Sequence, residues 1–230
     1  MAKQYLRALA AATLMVFGVT TAQAAVEALP STAASDSVTL WSELNATPLP
    51  AVLPNEVWVN IDLGSRKMAV YRGDTRVLLI PYLAIGNAGA QRIRLEGSSQ
   101  TPIGEFHVSR VNRQSDFKLF FGIDYPTPDI AREAWRDGLM TTRDYTYYRN
   151  YLRQHGTPPG DTALGGSIGI HGLGARSARL HSRMDWTEGC IAITNAEIEA
   201  LDRWVNIGTR VVIHGPGNRS TQKLSPQASR

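Results

Sequence analysis

The stretch HGLGARSARLHSRMDWTEGC, residues 171–190, ends on the only cysteine of the chain and begins, nineteen positions earlier, on a His–Gly pair. A thiolate, not a thiol, attacks carbonyl carbon, and an unperturbed cysteine is mostly protonated at neutral pH. A base within hydrogen-bond reach removes that obstacle, provided something orients it. Cys190 and His171 are therefore candidate nucleophile and base, with His181, in the middle of the loop, as the alternative base. Gly189 lets a substrate carbonyl approach the main chain closely, so the N–H groups around Gly189 and Cys190 are candidate oxyanion donors. Two other readings of a lone cysteine stay open here: a buried inert thiol and an intermolecular disulfide.

Metal chemistry finds little support in the pattern. One cysteine and five scattered histidines show neither an i, i+4 pair nor a CxxC, so a zinc centre is not expected. His107, His155 and His214 have no partner identifiable from spacing and are expected to be structural.

Elements that could position the pair are mostly strands. SIGIHG reads as a short strand ending at His171, and CIAIT as one starting at Cys190. If these strands are neighbours, the loop between them brings both side chains to one end of a sheet. EVWVNIDL alternates Val57, Val59, Ile61 and Leu63 with Trp58, Asn60 and Asp62, the signature of a half-buried strand. GSRK and Gly73-Asp74 then punctuate a meander through MAVYR and RVLLIPYLAIG. In TPIGEFHVSRV, proline and glycine predict a turn before another strand, and TRVVIHG predicts a last one. Thr194 and Glu197 match a capping box that opens a helix with Ile198, Leu201 and Val205 on one face and Gly208 at its close.

Residues 112–166 break the pattern. DIAREAWRDGL predicts a short helix. TTRDYTYYRNYLRQHG gathers Tyr145, Tyr147, Tyr148 and Tyr151 with Arg143, Arg149 and Arg153, a cluster that either lines a cleft or packs on the sheet. The expected fold is thus mainly β, with a few short helices and a long insertion before the two strands of interest.

The ends read differently. MAKQYLR, an apolar run from Ala8 to Thr20, and Ala22-Gln23-Ala24 make the three-part pattern of a secretory signal peptide, cleaved after Ala24. Export to the periplasm is the expectation, as a soluble protein without a membrane span. Cleavage removes Lys3 and Arg7, leaving 22 basic against 20 acidic residues. That balance gives no reason to expect nucleic acid as a partner. Residues 25–54 read as a linker with one short helix around WSEL, residues 55–215 as the folded domain, and residues 216–230 as a disordered tail. An unpaired cysteine in an oxidising compartment is consistent with a working thiol.

Three motifs in order, TPIGEF (101–106), IHG (170–172) and TEGCIAIT (187–194), resemble the L,D-transpeptidase catalytic domain, also called YkuD-type. Fifteen residues separate His171 from Thr187, inside the spacing of that family's signature. The resemblance covers roughly residues 55–215 and implies the family's β-sandwich. It implies a cysteine acyltransferase acting on peptidoglycan stem peptides through a thioester, with no cofactor. Cys190 would be the nucleophile, His171 its base and the Gly172 carbonyl the group that orients the imidazole. Gly189, Thr187, Trp186 and Arg179 would hold oxyanion or substrate. The acceptor would be the amine of a second stem peptide or of an envelope lipoprotein.

Glu188 stands where many members of the family carry histidine, and Ala192 where many carry Arg or Asn. DWTEGCIAIT looks closer to a branch that includes a hydrolase cutting the lipoprotein–peptidoglycan link. A hydrolase of the same family, carboxypeptidase or amidase, is therefore one alternative, and a non-catalytic peptidoglycan-binding module is another. Arg176, Arg179 and Arg183 either meet substrate carboxylates or form a solvated loop face. A papain-like arrangement predicts cysteine before histidine and at a helix start, the reverse of the order here.

Overall fold

The computed structural model describes residues 52–216; the expectations of a leader, of most of the linker and of the tail lie outside them. Ten strands and four helices follow one another. β1 (Val57–Asp62), β2 (Lys67–Arg72) and β3 (Thr75–Ile80) form the expected antiparallel meander. Short strands β4 (Ala90–Gln91) and β5 (Thr101–Pro102) pair in parallel, so TPIG is a strand and a bend rather than a tight turn. Next come the long strand β6 (Gly104–Asn112), then β7 (Phe120–Ile123) and the helices α1 (Pro128–Arg136) and α2 (Thr142–His155). β8 (Gly169–His171), α3 (Ala178–His181), β9 (Ile191–Ala192), α4 (Asn195–Leu201) and β10 (Arg210–His214) complete the chain.

One eight-stranded sheet runs β3-β2-β1-β10-β6-β7-β8-β9. β6 spans two halves of it: residues 104–107 pair with β10, and from Val108 onward the strand pairs with β7 after a register shift. A bulge at such a point bends the strand and lets the sheet curl. The curl goes far enough that the segment after β3 meets β9, where Ala84 and Ala192 exchange both backbone hydrogen bonds (3.0 and 2.8 Å). Inward side chains of Val59, Ile61, Phe106, Phe121, Ile170, Ile193 and Val211 fill the interior and are each at most 1% exposed. Full burial of such a side chain contributes about 1.5–3 kcal/mol. On β1 the opposite face is covered as well, because Trp58 stacks on Tyr71 at 4.8 Å and donates its indole N–H to Gly73 O.

Two expectations need correction. The segment 112–166 is not wholly an insertion, because FFGI within it is β7, the strand between β6 and β8. Its four residues are too few to show a period. The helix opened by Thr194 stops at Leu201 with Asp202 as C-cap, well before Gly208, although its capping box is complete. Gly208 (φ 87°) instead makes the turn into β10, where its N–H donates to Val108 O.

The remainder of the insertion is a helical hairpin. Pro128 sits at the start of α1, and Thr141 caps α2 by accepting from Asp144 N. The tyrosines serve this hairpin: Trp135 stacks on Tyr145 at 5.0 Å, and the buried Tyr148 donates to Pro126 O. None of the four lines the cavity that holds Cys190, so the cleft reading of that cluster gives way to packing. No helix among the described residues is long and apolar enough to cross a membrane.

Candidate functional site

β8 and β9 are parallel neighbours, with Ile170 level with Ile191 and His171 level with Ala192. Cys190, just before β9, is thus two positions out of register with His171 and on the same face, since strand side chains alternate with period two. The sequence predicted a shared sheet end. Parallel pairing puts the two residues at opposite ends of a ladder so short that they still face one cavity.

That cavity, of about 650 Å³, is lined by His171 and Cys190 together with Phe117, Phe120, Arg110, Arg176 and Trp186, among others. His171 is buried (2% exposed) and lies among aromatic rings: Phe117 at 4.3 Å, Trp186 at 5.8 Å and Phe120, its cross-strand partner, at 6.3 Å. Its Nδ1 lies 2.7 Å from Gly172 O, so Nδ1 carries the proton and Nε2 is the basic nitrogen. Burial holds the imidazole below its ordinary value, helped by the positive Arg176 and by His181. Burial also pushes the Cys190 thiol up to about 11, partly opposed by the Gly169 N–H, Arg94 and Arg110 and reinforced by Glu188. At neutral pH the pair is a neutral thiol and a neutral imidazole. The thiol's hydrogen-bond acceptor here is Ser167 O at 3.5 Å, not His171.

The turn carrying Cys190 is braced from within. Gly189 N donates to Thr187 Oγ1 (3.2 Å), and the same hydroxyl donates to Cys190 O (2.6 Å). Thr187 is 4% exposed and also exchanges backbone bonds with Ile85 and Asn87. Gly189 adopts φ 125°, and a Cβ there would sit 2.6 Å from Gln100 O, so only glycine fits. Asp185 pins the approach to this turn, taking both guanidinium nitrogens of Arg66 (2.7 and 2.6 Å) and the Ile85 N–H.

Gly172 is equally crowded: a Cβ would meet Phe117 O, Asn195 Oδ1 and Ile198 Cγ2, each within 2.9 Å. Asn195, the first residue of α4, accepts from Leu173 N and Gly174 N and donates to Gly174 O. It thereby fixes the main chain that presents the Gly172 carbonyl to His171. Sequence reasoning missed Asn195; its only signal was its place inside the capping box.

Among the loop arginines, Arg176 lies at the cavity, its guanidinium over the rings of Trp186 (4.9 Å) and Phe117 (5.4 Å). Arg179 sits exposed on α3, and neither it nor Arg183 lines the cavity. Trp186 does line it, and His181 lies behind Trp186 with Nδ1 3.5 Å from the indole nitrogen. His181 is thus not among the cavity-lining residues. Ala192, level with His171, is fully buried and bonded to Ala84, which leaves no room for a longer side chain there. The cation supplied from a strand is Arg110 of β6 instead, lying across Gly122 with its guanidinium 5.2 Å from the Phe120 ring.

Among solved structures, the chain is similar to the helical cell shape determining protein Pgp2 of Campylobacter jejuni (K307A mutant). The identity is 20%, covering 70% of this chain and 47% of that one, with a TM-score of 0.48. It is similar to Bdellovibrio bacteriovorus Bd1075 (18%, 72% and 53%, 0.45) and to the Enterococcus faecium L,D-transpeptidase C442S mutant (14%, 69% and 50%, 0.40). The matched region spans about half the length of each of those chains. No curated protein matches the chain. The family model YkuD, L,D-transpeptidase catalytic domain, matches residues 56–213, from the residue before β1 to the penultimate residue of β10. By that match the chain belongs to the L,D-transpeptidase catalytic domain family.

Proposed function

We propose that the protein is an exported, periplasmic L,D-transpeptidase that acts on peptidoglycan stem peptides through a thioester on Cys190. One observation carries this reading: an imidazole with Nδ1 held by the Gly172 carbonyl shares a cavity with the chain's only thiol. His171 Nε2 takes the Cys190 proton as sulfur attacks the carbonyl of the donor peptide. Because both groups rest neutral, proton transfer accompanies attack and no standing ion pair is stored. The thiol must turn from Ser167 O toward the imidazole to begin.

The Cys190 amide is the assigned oxyanion donor, since the Gly189 N–H is held by Thr187. Arg110 and Arg176 give the donor side a positive lining suited to stem-peptide carboxylates. Collapse of the tetrahedral intermediate expels the terminal D-amino acid as a protonated amine and leaves the acyl group on sulfur. An acceptor amine then resolves the thioester.

Glu188 beside the thiol supports a second reading, a hydrolase of the same family in which water takes the acceptor's place. Digestion of purified peptidoglycan, followed by product masses, tests both. D-alanine release with new dimers supports transpeptidation, release without dimers supports carboxypeptidase action, and no change in the presence of active-site thiol sinks both.

A further inference from the structure

A second cavity of about 320 Å³ reaches Cys190 from the side away from His171, and its walls are charged in an unusual way. Arg94, Glu96, Ser99, Ser167, Glu188 and Cys190 are among its lining residues; Ser167, Glu188 and Cys190 are common to both cavities. Arg94 is 3% exposed, and its main chain is clamped by Tyr125, which accepts from Arg94 N (3.0 Å) and donates to Arg94 O (2.8 Å). Its guanidinium makes one bond, to Leu95 O, and its buried Nε has no protein partner. No carboxylate among the described residues lies within ion-pair distance of it. A guanidinium buried without a counter-charge is costly unless a ligand brings one. Glu96 and Glu188, by contrast, are exposed at the same cavity. Gly165, at φ 65°, makes way for Glu96, whose Oε2 would stand 1.5 Å from a Cβ there.

We infer that this cavity is the acceptor site and that it selects an amino-acid centre carrying both a free carboxylate and an ammonium group. Arg94 reads the carboxylate, and Glu96 and Glu188 hold the ammonium beside the sulfur. The inference rests on the thioester reading above and names the chemistry of its second substrate. Glu188 raises the cost of ionising Cys190, and its position is explained once a cation must be drawn there. In the transfer, the amine nitrogen forms the C–N bond and the C–S bond breaks with its electron pair on sulfur. Of the two protons the ammonium sheds, one ends on the sulfur and the other in solvent. The centre can belong to a free amino acid or to the side chain of a stem peptide.

The test offers the protein a donor tetrapeptide with glycine or with glycine methyl ester, and reads transfer products by mass. The ester keeps the amine, in a less basic and therefore more reactive form, and lacks the carboxylate. Glycine is expected to be preferred by about tenfold or more, the range of a charged hydrogen bond. Arg94→Gln is expected to erase that preference. Equal use of the two amines by the wild-type protein, or an unchanged preference in R94Q, overturns the inference. Glycine adducts without peptide dimers identify the free amino acid as the source, and dimers identify the stem peptide. NMR titration of the C190S protein with glycine and its ester reads the site without any chemistry. Absence of an acyl adduct on Cys190 then overturns the thioester reading alone, and failure to bind glycine over its ester overturns the acceptor site.

Discussion

His171 and Cys190 face one cavity from adjacent parallel strands, two positions out of register: His171 is level with Ala192, whereas Cys190 precedes Ile191, the partner of Ile170. The offset is a diagonal across a ladder of two residue pairs, and it decides which atoms can meet. A one-residue slip of β9 would move Cys190 to the other face and end the relationship. The structure guards against that slip at three points: the Thr187 brace, the Asp185–Arg66 pair and the Ala84–Ala192 bonds.

Cys190→Ala is expected to abolish acylation by a donor tetrapeptide. His171→Ala is expected to slow it by roughly 10²–10⁴-fold, the contribution of a positioned general base. Intact-mass kinetics of adduct formation measures both. Full activity in C190A would remove the thioester mechanism.

The acylation rate should rise with pH through the His171 pKa, which burial holds below 6.5, and then stay level. A second rise belongs near 11, where the thiol ionises unaided. Alkylation by iodoacetamide in the H171A protein reads the thiol directly. Reaction at pH 8 should be well below that of a free cysteine, and a midpoint near 8.5 would contradict the burial of the sulfur.

His171, His181 and His214 are all held below their ordinary value, chiefly by burial. Each therefore binds its proton more readily in the unfolded chain than in the folded one. Their contribution to stability is present above about pH 6.5, the unfolded value, and is lost as the pH falls below it. Thermal melts between pH 7.5 and 5.5 should show Tm decreasing on the acid side. A flat Tm over that window would contradict the neutral buried state of these rings.

Asn195→Ala removes three hydrogen bonds from the turn after His171. Two buried N–H groups lose their acceptor, at a cost of about 1–3 kcal/mol each when left unsatisfied. Urea titration should register the lost stability. At a temperature where N195A remains folded, kcat should drop as well, because the Gly172 carbonyl loses its fixed position. Unchanged kcat would mean the carbonyl is held by other contacts.

Arg176→Ala is expected to raise KM for a carboxylate-bearing donor by about tenfold, while Arg179→Ala, on the exposed face of α3, should leave KM unchanged. The comparison separates the one cation at the cavity from its neighbours in the same loop. If R179A raised KM as much as R176A, the donor carboxylate would have to lie over α3.

The meander, the last strand and the capping box were legible because hydrophobic alternation and cap chemistry are local. So were Cys190, His171 and Gly172, through residue types and a spacing tied to a known motif. What escaped the sequence depends on distant packing. β7 is short and buried on both faces, so FFGI shows no period. Arg179 and Arg176 are indistinguishable by type, and only the rings of Trp186 and Phe117 set Arg176 apart. Arg94 gave no signal at all, because the loneliness of its guanidinium exists only in the folded chain.

The closure of the sheet by Ala84 and Ala192, with Arg66 gripping Asp185 across 119 positions of chain, carries a consequence for timing. Contacts this remote in sequence form late, after the entropy of closing long loops has been overcome. The thiol turn rests on those contacts, so a partly folded chain presents Cys190 as an ordinary cysteine on an unanchored loop. Nucleophile, base and cavity come into being together, in the last step of folding, and regained activity on refolding is a clock for that step.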